Sequence, residues 1–107
     1  MKIREVEVLI EARDDLIQGR AFYDFQSPSV GDYFIESVLG DLGGLRLYAG
    51  VHRRVGGFYR QLCGRFPFAI YYEILAERVK VVAILDMRKD PAWIRNSLTK
   101  RTLRKRT

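Results

Sequence analysis

The sequence predicts an α+β fold: a small antiparallel sheet built from an N-terminal strand and a three-strand meander, an N-terminal helical hairpin on one face, and a short C-terminal helix. Three observations carry this. Apolar residues alternate with charges near the start, recur at helical spacing from Ala12 to Leu45, and return to a period of two from Phe58 to Leu85. At 107 residues, 48% of them hydrophobic, the chain is long enough for one core and too short for two. Residues 1–107 therefore read as a single domain, with 100–107 as a basic tail prone to fraying.

Taken in order, "IREVEVLI" sets Val6, Val8 and Ile10 on one face and Glu5 and Glu7 on the other, as in a half-buried strand. From Glu11 to Phe25 the residues Ala12, Leu16, Gly19 and Tyr23 form a stripe along a helix. "QSPSVG" breaks that helix with Pro28 and Gly31 and offers serines as caps for the next one. There Phe34, Val38, Leu42 and Leu45 share a face, although Gly40, Gly43 and Gly44 weaken its later part. So short a link between two helices predicts an antiparallel hairpin.

"AGVHRRVGG" reads as a glycine-flanked loop, and "FYRQLC", "FPFAIYYEIL" and "RVKVVAIL" as three strands with tight links. In the middle strand Phe66, Phe68, Ile70, Tyr72 and Ile74 face one way, and Ala69, Tyr71, Glu73 and Leu75 the other, which places Tyr71 on the uncovered face of the sheet. The last strand is almost wholly apolar and belongs inside the sheet rather than at an edge. Asp90-Pro91 then starts a helix, the aspartate capping free N–H groups and the proline preorganised for the first turn. Trp93 is expected to clamp this helix to the body.

Several function classes drop out. No apolar stretch approaches the ~20 residues needed to cross a bilayer, and "MKIREVEVLI" lacks the apolar region of a secretion signal, so a cytoplasmic protein with no membrane partner is expected. Cys63 is the single cysteine and His52 the single histidine, which leaves no disulfide and no cysteine- or histidine-rich metal site. Cys63, in a strand pattern, reads as an inert thiol, and His52 as a surface residue. The glycines match neither a P-loop nor a dinucleotide fingerprint, so no cofactor is expected. The aromatic run from Phe66 to Tyr72 reads as core packing rather than a base-stacking platform.

Charge points toward a partner. Met1 to Gly50 carries five Lys/Arg against nine Asp/Glu, a balance of −4, whereas Val51 to Thr107 carries fourteen against four, a balance of +10. Such polarity suits an anionic partner for the second half. Arg53 and Arg54 precede the meander, Arg60 lies within its first strand, Arg65 in the following turn, and Arg88 and Lys89 at the end of the last strand. Gathered on the uncovered face and rim of the sheet, they would form a binding surface with planar donors for phosphate or carboxylate.

The onset E-A-x-x-D-L at Glu11 to Leu16, Tyr23, G-x-x-F at Gly31 to Phe34, Arg60, F-P-F-x-I-Y-Y at Phe66 to Tyr72, and Arg88-Lys89-Asp90-Pro91 follow one another at characteristic spacings. In these features the chain resembles the RelE/ParE superfamily of toxins from type II toxin-antitoxin systems, particularly the ParE-like proteins labelled plasmid stabilisation toxins. Asp86 stands where that family commonly has histidine, and Lys89 where it commonly has a second arginine.

The resemblance implies the RelE-like fold, growth inhibition, and a cognate antitoxin whose acidic helical tail would suit the basic half. It also implies one of two activities. ParE-like members bind and poison DNA gyrase and are not enzymes; RelE-like members enter the ribosome and cut messenger RNA. Metal-free cleavage needs a base for the 2′-hydroxyl, a proton donor for the leaving oxygen and cations for the phosphate. The cations Arg60, Arg65 and Arg88 are present, but only His52 and Asp86 are candidates for proton transfer, and an aspartate with a pKa of ~4 is a poor donor near neutrality. The gyrase-binding reading is therefore favoured, with an endoribonuclease as the alternative and a degenerate, non-toxic member as a third.

Overall fold

The computed structural model describes residues 3–106, with side chains from 3 to 102. The elements run β1 (Glu5–Val8), α1 (Ile10–Gln26), α2 (Val30–Tyr48), β2 (Arg53–Val55), β3 (Phe58–Leu62), β4 (Phe68–Leu75), β5 (Arg78–Asp86) and α3 (Pro91–Arg106). The sheet order is β1-β5-β4-β3-β2. The meander is antiparallel, but β1 pairs with β5 in parallel, so the sheet is mixed rather than wholly antiparallel. Parallel neighbours need a crossover connection, and the α1–α2 hairpin begins the long path from β1 to β5.

The stretch expected to be a loop contains a fifth strand. Arg53 to Val55 pairs with Phe58 to Arg60 across Gly56-Gly57, whose φ angles of 61° and 85° suit a two-residue primed turn. The hinge between the helices also differs from expectation. Ser29 sits at the N-cap of α2 without a side-chain cap bond, and Asp24 Oδ1 instead accepts the Gly31 N–H at 2.9 Å. A Cβ on Gly31 would lie 2.4 Å from that carboxylate and 2.7 Å from the Arg20 backbone carbonyl, which cannot swing aside, so glycine is what permits the approach.

One face of the sheet carries the larger core. Phe34, Val38, Leu42 and Leu45 of α2, with Ala12 and Tyr23 of α1, pack on Phe68, Ile70, Tyr72, Val79, Val81 and Ile84. Gly19 brings the helices together, since a Cβ there would stand 2.7 Å from the Phe34 ring. Burial of each such large apolar side chain stabilises the fold by about 1.5–3 kcal/mol.

The second face is covered as well. The β4–β5 register slips between Tyr71 and Tyr72, leaving Val82 without an opposite residue. This bulge turns both Val82 and Ala83 to the face that holds Phe58, Ala69, Tyr71 and Leu85, where Ile94 and Leu98 of α3 close over them. Tyr71 is therefore 1% exposed, not on an open face as the strand pattern suggested.

Asp90 caps α3 as expected, its Oδ1 accepting the Ala92 N–H at 2.7 Å. The helix is not short. It runs sixteen residues to Arg106, so the backbone of the basic segment 100–106 is helical, while the side chains from 103 on and Thr107 lie outside the described residues. Trp93 is 45% exposed; Ile94 and Leu98 fix the helix in its place. The Arg101 guanidinium adds a second anchor, donating to Asp15 Oδ1 at 2.9 Å and to the Val82 carbonyl at 3.0 Å, while Asp15 Oδ2 accepts the Ile84 N–H. Together these two side chains satisfy the edge of β5 beyond the end of β1.

Candidate functional site

The carboxyl end of β5 holds the most organised cation. Arg88 donates through Nε and Nη2 to the two Asp86 oxygens at 3.0 and 2.8 Å, and its backbone N–H donates to Asp86 Oδ1 at 2.9 Å. The same Nη2 donates to the Tyr23 hydroxyl at 3.4 Å, and the guanidinium lies 5.5 Å from the Phe22 ring centre. Hydrogen bonding from Arg88 holds the Asp86 carboxyl below its ordinary pKa. Burial raises the Tyr23 phenol, with Arg88 opposing that shift. Asp86 is thus a fixed carboxylate that orients an arginine. Lys89 lies beside it, its ammonium 5.5 Å from the exposed Trp93 ring.

Arg65, in the β3–β4 turn, donates to the Tyr33 hydroxyl at 2.7 Å and lies 5.8 Å from the centre of the same ring. Tyr33 contacts Phe66, which contacts Tyr23, with ring centres 5.4 and 4.9 Å apart. A chain of three rings thus links the partner of Arg65 to the partner of Arg88. Held against aromatic faces, these arginines lose less side-chain freedom when they engage a ligand.

The remaining candidates lie elsewhere. Arg53 pairs directly with Arg60, and Arg60 with Tyr71, in one row on the α3 side of the sheet. Burial raises the pKa of the Tyr71 phenol, and Arg60 partly offsets this. Arg54 points to the opposite face, 4.8 Å from the Tyr59 ring, and donates to the Gly57 carbonyl. His52 Nδ1 lies 2.6 Å from the Tyr72 hydroxyl, which also accepts the Gly50 N–H at 2.9 Å. Burial lowers the pKa of His52, so the ring is neutral near pH 7 and its Nδ1 shares a hydrogen bond with the Tyr72 hydroxyl. His52 is therefore tied into the fold rather than free at the surface. Arg65, Arg88 and Lys89 share the end of the sheet, while Arg53 with Arg60 and Arg54 with His52 occupy two other places.

Sequence reading missed the partners more than the cations. Phe22 and Tyr33 looked like ordinary helix residues, and the Asp15–Arg101 pair, 86 positions apart, left no local signal. Cys63 is half-buried, and burial, reinforced by Asp41, pushes its thiol up to about 12, an unreactive state. Among the described residues no three His, Cys, Asp or Glu side chains gather in a way that could hold a metal ion, and no helix is long and apolar enough to cross a membrane.

No protein-family model and no curated protein sequence matches the chain. Among solved structures, a chain from the "Chromosomal ParDE TA system from P. aeruginosa" superposes with a TM-score of 0.71 at 17% identity, over 77% of this chain and 94% of that one. The fold is RelE/ParE-like. Within this RelE/ParE-like fold the Arg88-Lys89-Asp90-Pro91 segment forms the link from β5 to α3, and F-P-F-x-I-Y-Y leads into the central strand β4.

Proposed function

We propose that this protein is the toxin of a type II toxin-antitoxin pair and that it inhibits bacterial growth by binding DNA gyrase rather than by cutting RNA. The RelE/ParE-like architecture supports the toxin reading. The observation that carries the binding reading is the engagement of both candidate proton-transfer groups. Asp86 is held by three hydrogen bonds from Arg88, two from its guanidinium and one from its backbone N–H, and His52 is bonded to a buried phenol in a different part of the sheet. Neither stands free beside a cluster of cations, whereas RNA cleavage requires a base, a donor and a cation around one phosphate. Binding needs only a rigid, well-presented surface, and Arg88, Lys89 and Arg65 on their aromatic supports supply one. The partner that neutralises it is a cognate antitoxin with an acidic helical tail, and the site of action is the cytoplasm.

The test is induction of the chain in a bacterial host. Growth should slow, Arg88→Ala should relieve the effect, and co-expression of the adjacent antitoxin gene should restore growth. Normal growth with soluble, folded protein in the cell rejects the reading.

A further inference from the structure

We infer that the cavity on the outer edge of β5, between α1 and α3, is a binding site for the base of a purine nucleotide. The inference goes beyond the toxin reading and does not depend on it. β1 pairs with β5 only as far as Val81, so the rest of that strand has no neighbouring strand on its outer side. There a cavity of about 260 Å³ opens. Phe68, Ile84 and Leu85, all buried, form its floor, and Phe22 of α1 and Trp93 of α3 border it. Because α1 packs on one face of the sheet and α3 on the other, these two rings reach the edge from opposite sides. At 46% and 45% exposure, both are left with apolar surface that a flat ligand would cover.

The strand edge supplies the polar groups. In an antiparallel pair a residue turns both its N–H and its C=O toward its partner or both away. Ile84 turns its N–H away from β4, to Asp15 Oδ2 at 2.9 Å, so its carbonyl faces the outer edge too. Asp86 lies opposite Phe68, whose own N–H and carbonyl are engaged with Phe66 and Cys63, so the Asp86 N–H also points outward. One acceptor and one donor, two residues apart, therefore face the cavity. An added peptide strand would need the Ile84 N–H and the Val82 carbonyl as well, and Asp15 and Arg101 already occupy those. A flat heterocycle with a donor beside an acceptor needs only the remaining pair, and adenine offers one in its N6–H and N7. Both acids at the cavity are neutralised, Asp15 by Arg101 and Asp86 by Arg88. Lys89 holds its ammonium 5.5 Å from the Trp93 ring centre and, among the described residues, has no carboxylate within ion-pair distance. A base stacked on Trp93 would bring its phosphate within reach of that ammonium.

Trp93 is the single tryptophan, so its fluorescence reports on the cavity directly. The experiment is titration of the full chain with AMP, adenosine and ribose 5-phosphate. AMP should quench the fluorescence saturably, adenosine should bind more weakly, and ribose 5-phosphate should leave the signal unchanged. Phe22→Ala should weaken AMP at least tenfold. Lys89→Ala should lower the affinity for AMP to that for adenosine while leaving adenosine binding as it was. Arg46→Ala, which removes one positive charge from the exposed surface of α2, should bind AMP as the wild type does. Circular dichroism melting curves check each variant, and if Phe22→Ala melts early, Phe22→Leu, which keeps bulk without a flat face, takes its place. No saturable quenching, ribose 5-phosphate binding as tightly as AMP, or an equal loss in Arg46→Ala and Lys89→Ala overturns the proposal. A short deoxyadenosine oligonucleotide separates the two sources of such a base. Binding at least tenfold tighter than AMP, lost in the Phe22 variant, assigns the site to a base within a single strand, and equal or weaker binding assigns it to a free nucleotide.

Discussion

The helical hairpin grips one face of the sheet through rings, whereas α3 grips the other through two aliphatic side chains and one ion pair. On the hairpin face Phe34 lies against Tyr23, Phe66 and Phe68 with ring centres 4.8–5.3 Å apart, and Val38, Leu42 and Leu45 extend the contact along α2. Such packing is spread over many weak contacts and tolerates small displacements. On the α3 face Ile94 and Leu98 do the packing, and the Asp15–Arg101 pair fixes the far end. That attachment is directional and depends on single atoms. The hairpin side is the core and also carries Phe22, Tyr23 and Tyr33, the aromatic supports of Arg88 and Arg65, whereas the α3 side is a latch.

Phe34→Ala should break the first face. The ring is fully buried, so its removal should lower unfolding stability by about 3–5 kcal/mol in chemical denaturation. A loss below about 1 kcal/mol would mean that the hairpin is not the main core.

The latch should fail next. Asp15 and Arg101 are 10% and 17% exposed, and Asp15→Ala would leave both the guanidinium and the Ile84 N–H without that partner, so a loss of about 3 kcal/mol is expected. Hydrogen exchange sharpens the contrast: amides of α3 should exchange faster in this variant while those of α2 stay protected. Uniform acceleration across both helices would show that the two faces unfold together.

Smaller effects concern the β5 end and the β3–β4 turn. The Asp86 pKa is lowered in the fold, so the Asp86–Arg88 bonds contribute stability that is present above about pH 4 and is lost as pH falls through the depressed value. Asp86→Asn should remove this part of the acid dependence, seen as a flatter stability curve below pH 4 than that of the wild type. Cys63, with its thiol pushed up to about 12, should alkylate with iodoacetamide at pH 8 far more slowly in the folded chain than in denaturant. Equal rates would place that thiol in solvent.

Much of this contrast was legible in the residues. The stripes Ala12–Gly19–Tyr23 and Phe34–Val38–Leu42–Leu45 reported a periodic burial that the hairpin obeys. Asp90-Pro91 reported a local cap, and the alternation of β4 assigned its two faces correctly. What escaped was non-local or read past. Val82 and Ala83 face the same way because of a bulge that no apolar run reveals, and Tyr71 is buried because α3 lays Ile94 and Leu98 over that face of the sheet, a packing that strand alternation does not show. The Gly56-Gly57 pair did signal a hairpin, but "HRRV" is too polar to read as a strand. At the candidate site the cations were visible one by one, while their distribution over three places depended on strand register and on the aromatic partners supplied by α1 and α2.

The most direct test of binding without chemistry is a paired assay on the purified chain: DNA supercoiling by gyrase, and primer extension on messenger RNA from translating ribosomes. The expected result is inhibited supercoiling that weakens in Arg88→Ala, with intact messenger RNA. Codon-phased cuts with supercoiling unaffected would contradict the account, and loss of those cuts in His52 or Asp86 variants would identify the groups that move the proton.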